Sequence, residues 1–292
     1  MVVTRLTPGL VKKLLGCEML LLAGLITLAK LGLISRHAQL ESLVGLAFGA
    51  LARVIAIKLY SDIADEYRNV RWSRMVWLAL ATNSVMLLVR GGLSNDLVAD
   101  WTGAYSHSPL RGFLNHVFSV PATIFLLLGL LGMLQSYRHT GLGRRLQGRD
   151  YAVIATLLVL FGWLLIFHKN LEEGQSPWII NRILQPLDLT LIGAASIISI
   201  VLHRYTAVMQ GGKMAIVLQW LVLYGALPGL LVLLIQVGVP IIHRTIPFDA
   251  TPLNHLWALL PWLTALSAAT RAEMTAKAVA QVARLKQAEA AG

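Results

Sequence analysis

The sequence predicts an all-α, polytopic integral membrane protein with about eight transmembrane helices. Its 292 residues are 57% hydrophobic and 13% charged, with a mean hydropathy of +0.68, whereas soluble domains carry about 25% charged residues. Eight apolar runs reach the length of about 20 residues that crosses the hydrocarbon core. The net charge of +11 is spread over the ends of these runs. This distribution indicates the lipid bilayer as the partner and argues against nucleic acid.

Each apolar run is expected to be a helix, because a backbone in hydrocarbon must satisfy its hydrogen bonds internally. Pro121, Pro228 and Pro261 fall inside spans and should kink them. The basic N-terminus resembles a signal peptide, but Glu18 and Lys30 interrupt its apolar run, so we interpret it as a retained first helix. The predicted spans are 14–35, 39–60, 73–92, 112–136, 150–169, 186–204, 214–239 and 253–271.

The positive-inside rule sets the expected orientation. With the N-terminus inside, the inner connections and termini hold sixteen Lys and Arg residues and the outer connections hold six. Both termini are therefore predicted to be cytoplasmic, in a cell (plasma or inner) membrane. Residues 1–271 form a single bundle, and the Ala-rich segment 272–292 is predicted to be a cytoplasmic helical tail. That tail contacts a partner or lies on the surface, with docking in the membrane plane as the alternative.

One short segment occurs twice. Leu114-Asn115-His116 returns 139 residues later as Leu253-Asn254-His255, and each copy precedes a proline and an apolar run. The same offset relates Arg74-Met75 to Lys213-Met214. The pattern indicates a 4+4 parallel internal repeat with halves 1–149 and 150–271. The alternative is coincidence between polar residues at the membrane interface.

Charged residues inside the first two spans have complementary positions. In an antiparallel hairpin, residues at equal depth have numbers with a constant sum, and both Lys30 with Glu41 and Glu18 with Arg53 sum to 71. We interpret these as structural ion pairs that fix the hairpin register, with a proton or ion path as the alternative. One difficulty is that twelve helical steps leave the two pairs about 120° apart around the helix.

Two further patterns concern the second half of the chain. Asp188, near the start of the sixth span, is predicted to cap the helix N-terminus. Gly225 and Gly229, together with Ala194 and Ala195, are expected to allow close contact between helices.

Three histidines are candidate cofactor-binding residues. His116, His168 and His255 all fall on the outer side of the predicted topology, and neutral imidazole is a common metal ligand. They could hold haem, a chlorophyll-type pigment or a metal, whose identity is unknown. Against this, the sequence has no HxxxH or HExxH spacing. The alternative is that histidine suits a membrane interface.

The functional classes follow from these residues. The chain has no Walker lysine loop and no GxSxG motif, and Cys17 is its single cysteine, which together favour a non-enzymatic protein. The first hypothesis is a multi-pass membrane subunit or sensor-like module that acts through other membrane protein subunits. The second is an electron-transfer subunit that binds a cofactor through the outer histidines. The third is a small-solute or ion transporter with a path between the two halves.

Overall fold

The computed structural model describes residues 6–33, 37–93, 109–138, 146–167, 179–209, 212–239 and 256–291. Within these ranges it contains eight long helices, one for each predicted span, and no strand. The helices are α1 (Pro8–Lys30), α2 (His37–Glu66), α3 (Arg71–Leu93), α4 (Pro109–Arg138), α5 (Gly148–Phe167), α6 (Gln185–Val208), α7 (Lys213–Leu233) and α8 (Leu259–Ala291).

Six of these eight described helices, α2 to α7, are long and apolar enough to cross a membrane. The prediction of an all-helical membrane protein is confirmed at this level. The helix α1 does not qualify because each of its 18-residue windows contains three charged residues. The helix α8 is described from Leu259 only, and its second half is rich in alanine and charge.

Local sequence signals set the hairpin between α1 and α2. Thr7 caps α1, with its hydroxyl oxygen accepting the Leu10 amide at 3.3 Å, and Pro8 occupies the first turn, where its missing N–H costs nothing. Just beyond the other end of α1, Gly32 has a φ of 70°. Only glycine adopts this left-handed conformation freely, so Gly32 ends the helix.

Six helices form a closed ring. Going round it, the neighbours are α2, α3, α4, α6, α7 and α8, and α8 packs back on α2. Two helices lie outside the ring: α1 packs on α2 and α8, and α5 packs on α6. The main hydrophobic cluster draws on all six ring helices and on Val11 of α1.

Glycines allow the close approach of α6 and α7. A Cβ atom placed on Gly225 would lie 2.2 Å from Ser199 Oγ, and one placed on Gly229 would lie 2.1 Å from Ser196 Oγ. At either position a larger residue would require the facing serine side chain or the helix itself to move. The prediction that Gly225 and Gly229 permit close helix contact is confirmed.

The Ala-rich tail continues α8 without a break. Residues 261–270 are buried in the ring, residues 271–275 are half-buried, and residues 276–287 are exposed. The tail is thus the extension of a ring helix beyond the bundle.

Candidate functional site

The six ring helices enclose a cavity on their common axis. We call the end of the bundle where α3 ends and α4 begins the His116 end, and the opposite end, where α8 carries Arg271, the Arg271 end. The central cavity has a volume of about 230 Å³ and lies nearer the His116 end. Each ring helix, or the turn that leads into α8, contributes to its wall. The wall consists of Arg53, Asn83, Leu87, Arg90, Ser119, Thr123, Leu126, Ile192, Ala195, Tyr224, Gly225, Pro228, Trp257 and Leu260.

Arg53 lies near the middle of α2 and lines the central cavity. The Tyr224 hydroxyl lies beside its guanidinium group and donates a hydrogen bond of 2.7 Å to Asn83 Oδ1. Asn83 is held in turn, because its Nδ2 donates to the Ala122 carbonyl at 2.7 Å. The Arg53 Nη1 atom is buried and has no hydrogen-bond partner among the described residues. A buried donor in this state is costly, so its position calls for a functional explanation.

Arg90 brings a second guanidinium group to the same cavity. It lies in the last turn of α3, and its Nε donates to Asn115 Oδ1 at 2.6 Å. This bond ties the end of α3 to the first turns of α4 beside the cavity. Arg90 is one of the six Lys and Arg residues assigned to the outer connections, yet its side chain points into the bundle.

Asp188 has partners on α4. The Ser119 hydroxyl lies 2.9 Å from Oδ1 and 2.8 Å from Oδ2 of this carboxylate and donates to it, and His116 Nδ1 lies 3.3 Å from Oδ2. Leu184 occupies the N-cap position of α6, with no side-chain capping bond. The prediction that Asp188 caps its helix is wrong, because its side chain turns across to α4 and links α6 to that helix.

The Asp188 cluster lines a second cavity, the His116 cavity, of about 290 Å³. It shares Arg90, Ser119, Ile192 and Trp257 with the central cavity, so the two adjoin.

Two π-helical turns flank the His116 cavity. They cover Ile180–Leu184, directly before α6, and Leu234–Gly238, directly after α7. Gln185 and Gln236, at or beside these turns, line this cavity, and Gln185 Oε1 is buried without a partner among the described residues. π-helical turns are frequent at functional sites.

A packed layer separates the central cavity from the Arg271 end. Each ring helix contributes a fully buried side chain of the main hydrophobic cluster: Tyr60, Leu80, Leu130, Leu202, Leu221 and Leu266. Tyr60 also stacks on Trp77, with ring centroids 5.8 Å apart. On α4, Leu126 and Met133 line cavities on the two sides of this layer, and seven residues correspond to about 10 Å along a helix.

A third cavity of about 190 Å³, the Arg271 cavity, lies beyond the layer. Its wall includes Tyr67 directly after α2, Trp77 of α3, Ser136 of α4 and Arg271 of α8. The Arg271 guanidinium group lies 5.7 Å from the centroid of the Tyr67 ring and donates to the Tyr67 hydroxyl. The bundle thus has cavities towards both ends and a closed layer between them.

Glu18 and Arg53, which were predicted to form an ion pair, have other neighbours in the structure. Glu18 is fully buried and accepts a hydrogen bond from Trp262 Nε1 of α8, whereas Arg53 faces the central cavity. The structure therefore gives Glu18 and Arg53 different partners, because α1 sits in the groove between α2 and α8. Lys30 ends α1 and Glu41 lies in the first turns of α2, and their pairing stays a prediction.

Of the three candidate cofactor histidines, His116 lines the cavity next to Asp188. His168 and His255 lie outside the described residues, so their convergence with His116 stays a prediction. Among the described residues, no three His, Cys, Asp or Glu side chains are grouped to hold a metal ion.

Sequence reasoning missed the central cavity, although a signal was present. On α4, His116, Ser119 and Thr123 are spaced by three and four residues, and on α3 Asn83 and Arg90 are seven apart, which places each set on one helix face. Polar residues that recur on one face of a membrane helix indicate a wet interior. Protein-family models, curated proteins and solved structures give no match to the chain, so the functional assignment rests on the geometry of these cavities.

Proposed function

We propose that this protein is a transporter for a small solute, with a path along the axis of the six-helix ring. The observation that carries the proposal is the central cavity, to which every ring helix contributes, together with the packed layer between it and the Arg271 cavity. A protein that alternates access needs a binding site near mid-bundle and a barrier that can change sides. Charged residues at membrane depth that face such a cavity typically mark a solute path.

The order of the helices supports a 4+4 repeat with eight crossings. In each half, the first helix lies outside the ring: α1 beside α2, and α5 beside α6. The next three helices follow one another round the ring, and the halves join at the α4–α6 and α8–α2 contacts. In the proposed repeat, a pseudo-twofold axis along the ring axis would relate the two halves. Parallel repeats of this kind place the substrate site between the halves.

The chain's single cysteine allows a direct test in a Cys17→Ser background. Thr123→Cys places a thiol in the central cavity. In sealed vesicles of either orientation, we expect a membrane-impermeant thiol reagent to reach it from both sides of the membrane, because the cavity opens alternately. Leu158→Cys is the control, because Leu158 is exposed on α5, outside the ring. In the membrane this position faces lipid, which a water-soluble reagent does not enter, so it should stay unlabelled.

Labelling of Thr123→Cys from one side only would contradict alternating access. That result would favour the sensor-like module, in which a ligand enters from one face and a partner protein detects it. A cavity at one end of a fixed bundle suits that second function. The sensor-like module would act through other membrane protein subunits. For either function, we propose a location in a cell membrane with both termini cytoplasmic.

A further inference from the structure

The charge of the cavity walls is unbalanced. Among the described lining residues of the central cavity there are two arginines, Arg53 and Arg90, and no carboxylate. The adjoining His116 cavity adds one carboxylate, Asp188, beside Arg90. The combined walls therefore carry one net positive charge with His116 neutral. Two guanidinium groups at one cavity repel each other, and a bound anion would relieve that repulsion.

Arg53 is the group that an anion would contact. Tyr224, whose hydroxyl is hydrogen-bonded to Asn83, holds the Arg53 side chain from one side. The buried Nη1 of Arg53 has no partner among the described residues. A guanidinium group binds a carboxylate with two parallel hydrogen bonds. The position is thus preorganised for a planar, two-oxygen anion.

Apart from the arginines and the polar side chains of Asn83, Ser119, Thr123 and Tyr224, the wall of the central cavity is apolar. Leu87, Leu126, Pro228, Trp257 and Leu260 face the cavity together with Ile192. A hydrated inorganic ion gains nothing from such a wall, whereas an alkyl or aryl group does. The volume of about 230 Å³ is below the range of about 300–1,000 Å³ typical of drug-sized ligands, which favours a small molecule.

We propose that the solute is a small organic monocarboxylate, whose carboxylate binds Arg53 and whose apolar body lies against the opposite wall of the central cavity. This inference rests on the proposed function, since it names the substrate class of the same cavity. The negative charge of Asp188 balances the positive charge of Arg90, which leaves the positive charge of Arg53. The site therefore accommodates a ligand with one negative charge. A dianion would be left with one uncompensated charge.

The test is thermal unfolding of the detergent-purified full chain with a series of monocarboxylates from acetate to hexanoate. We expect butyrate to raise the unfolding temperature with a saturable concentration dependence, because a ligand of the folded state stabilises it. Succinate, chloride, inorganic phosphate, butyramide and butylamine should give smaller shifts. A chloride or phosphate shift equal to that of butyrate would overturn the organic assignment. A larger shift of the unfolding temperature with succinate than with butyrate would overturn the inference that the ligand carries a single negative charge.

Arg53→Gln is expected to weaken butyrate binding at least about tenfold, because the loss of even one of the two charged hydrogen bonds has that effect. Without ligand, this variant should unfold at a higher temperature than the wild type, because a buried positive charge without a counter-ion among the described residues has been removed. Arg53→Lys keeps the charge but loses the two-pronged geometry, so it should bind with intermediate affinity. Arg68→Gln, at an exposed position after α2, is the matched control and should bind like the wild type. Equal butyrate affinity in all four proteins would overturn the proposal.

Two outcomes separate this inference from the proposed function. If no monocarboxylate binds while Thr123→Cys still reacts from both sides, the substrate class is wrong and transport stands. If butyrate binds through Arg53 while Thr123→Cys reacts from one side only, the ligand class is supported and transport is wrong.

Discussion

The contact between α3 and α4 provides a quantitative test of the ring. A Cβ atom placed on Gly132 of α4 would lie 2.3 Å from Val76 Cγ2 of α3, whereas 3.4 Å is the lower limit of ordinary contact. The valine methyl would therefore have to retreat by about 1 Å. Valine is stiff at χ1 and Val76 is buried, so the helices themselves must separate. We expect Gly132→Ala to be destabilising for this reason.

The magnitude follows from two opposing terms. Overpacking of a close helix contact costs about 1–3 kcal/mol, and replacing a glycine within a helix by alanine returns about 0.5–1 kcal/mol. Gly132→Ala should therefore lower the free energy of unfolding by up to about 2.5 kcal/mol. Gly162→Ala on α5 is the matched control, because no atom lies within 4 Å of its added Cβ. That variant should be as stable as the wild type or slightly more so.

The assay is equilibrium unfolding of purified protein by SDS titration in mixed micelles, followed by tryptophan fluorescence. Val76→Ala removes the clashing methyl and alone should cost about 1–2 kcal/mol of packing. The double variant Val76→Ala/Gly132→Ala should then be about 1 kcal/mol more stable than the sum of the single changes predicts. Additive effects within about 0.5 kcal/mol would refute the close contact.

Two further predictions concern contacts of α8. Glu18→Ala should lower the free energy of unfolding by about 1–3 kcal/mol, because the buried Trp262 N–H loses its acceptor, whereas Glu18→Gln keeps an acceptor and should cost less in the same SDS titration; equal losses would contradict this role. Near the Arg271 end, Lys277 and then Lys213 hold the pKa of Glu273 below its usual 4.5, so the resulting stabilisation is present above pH 4.5 and is lost as the pH falls through the lowered pKa. Thermal unfolding between pH 3 and pH 7 should therefore show a smaller pH dependence in Glu273→Gln than in the wild type, and identical profiles would contradict the ion pair.

The helix positions were predictable because the hydrocarbon core imposes one requirement on every segment. A backbone in lipid has to form a helix, and a helix has to contain about 20 apolar residues to cross. Each predicted span accordingly overlaps one of the eight described helices, six of which are long and apolar enough to cross a membrane. The small residues Gly225 and Gly229 correctly predicted a close helix contact. These features depend on local composition alone.

The partners of the charged residues were not predictable in the same way. The rule of equal depth paired Glu18 with Arg53, but depth does not fix the direction in which a side chain points. That direction depends on which helices are neighbours, and α1 turned out to lie between α2 and α8. Glu18 consequently faces Trp262, and Arg53 is left facing the ring axis.

The sequence by itself determined an all-helical membrane protein, because amino acid composition decides which solvent a chain meets. Only the tertiary structure decided that six helices close into a ring with Arg53 and Arg90 at a shared cavity and Asp188 bound to Ser119. A cavity on the axis of a ring is formed by residues far apart in the chain, here from Arg53 to Leu260. The residue pattern within one helix cannot predict such a cavity, because the order in which the helices pack decides which residues line it.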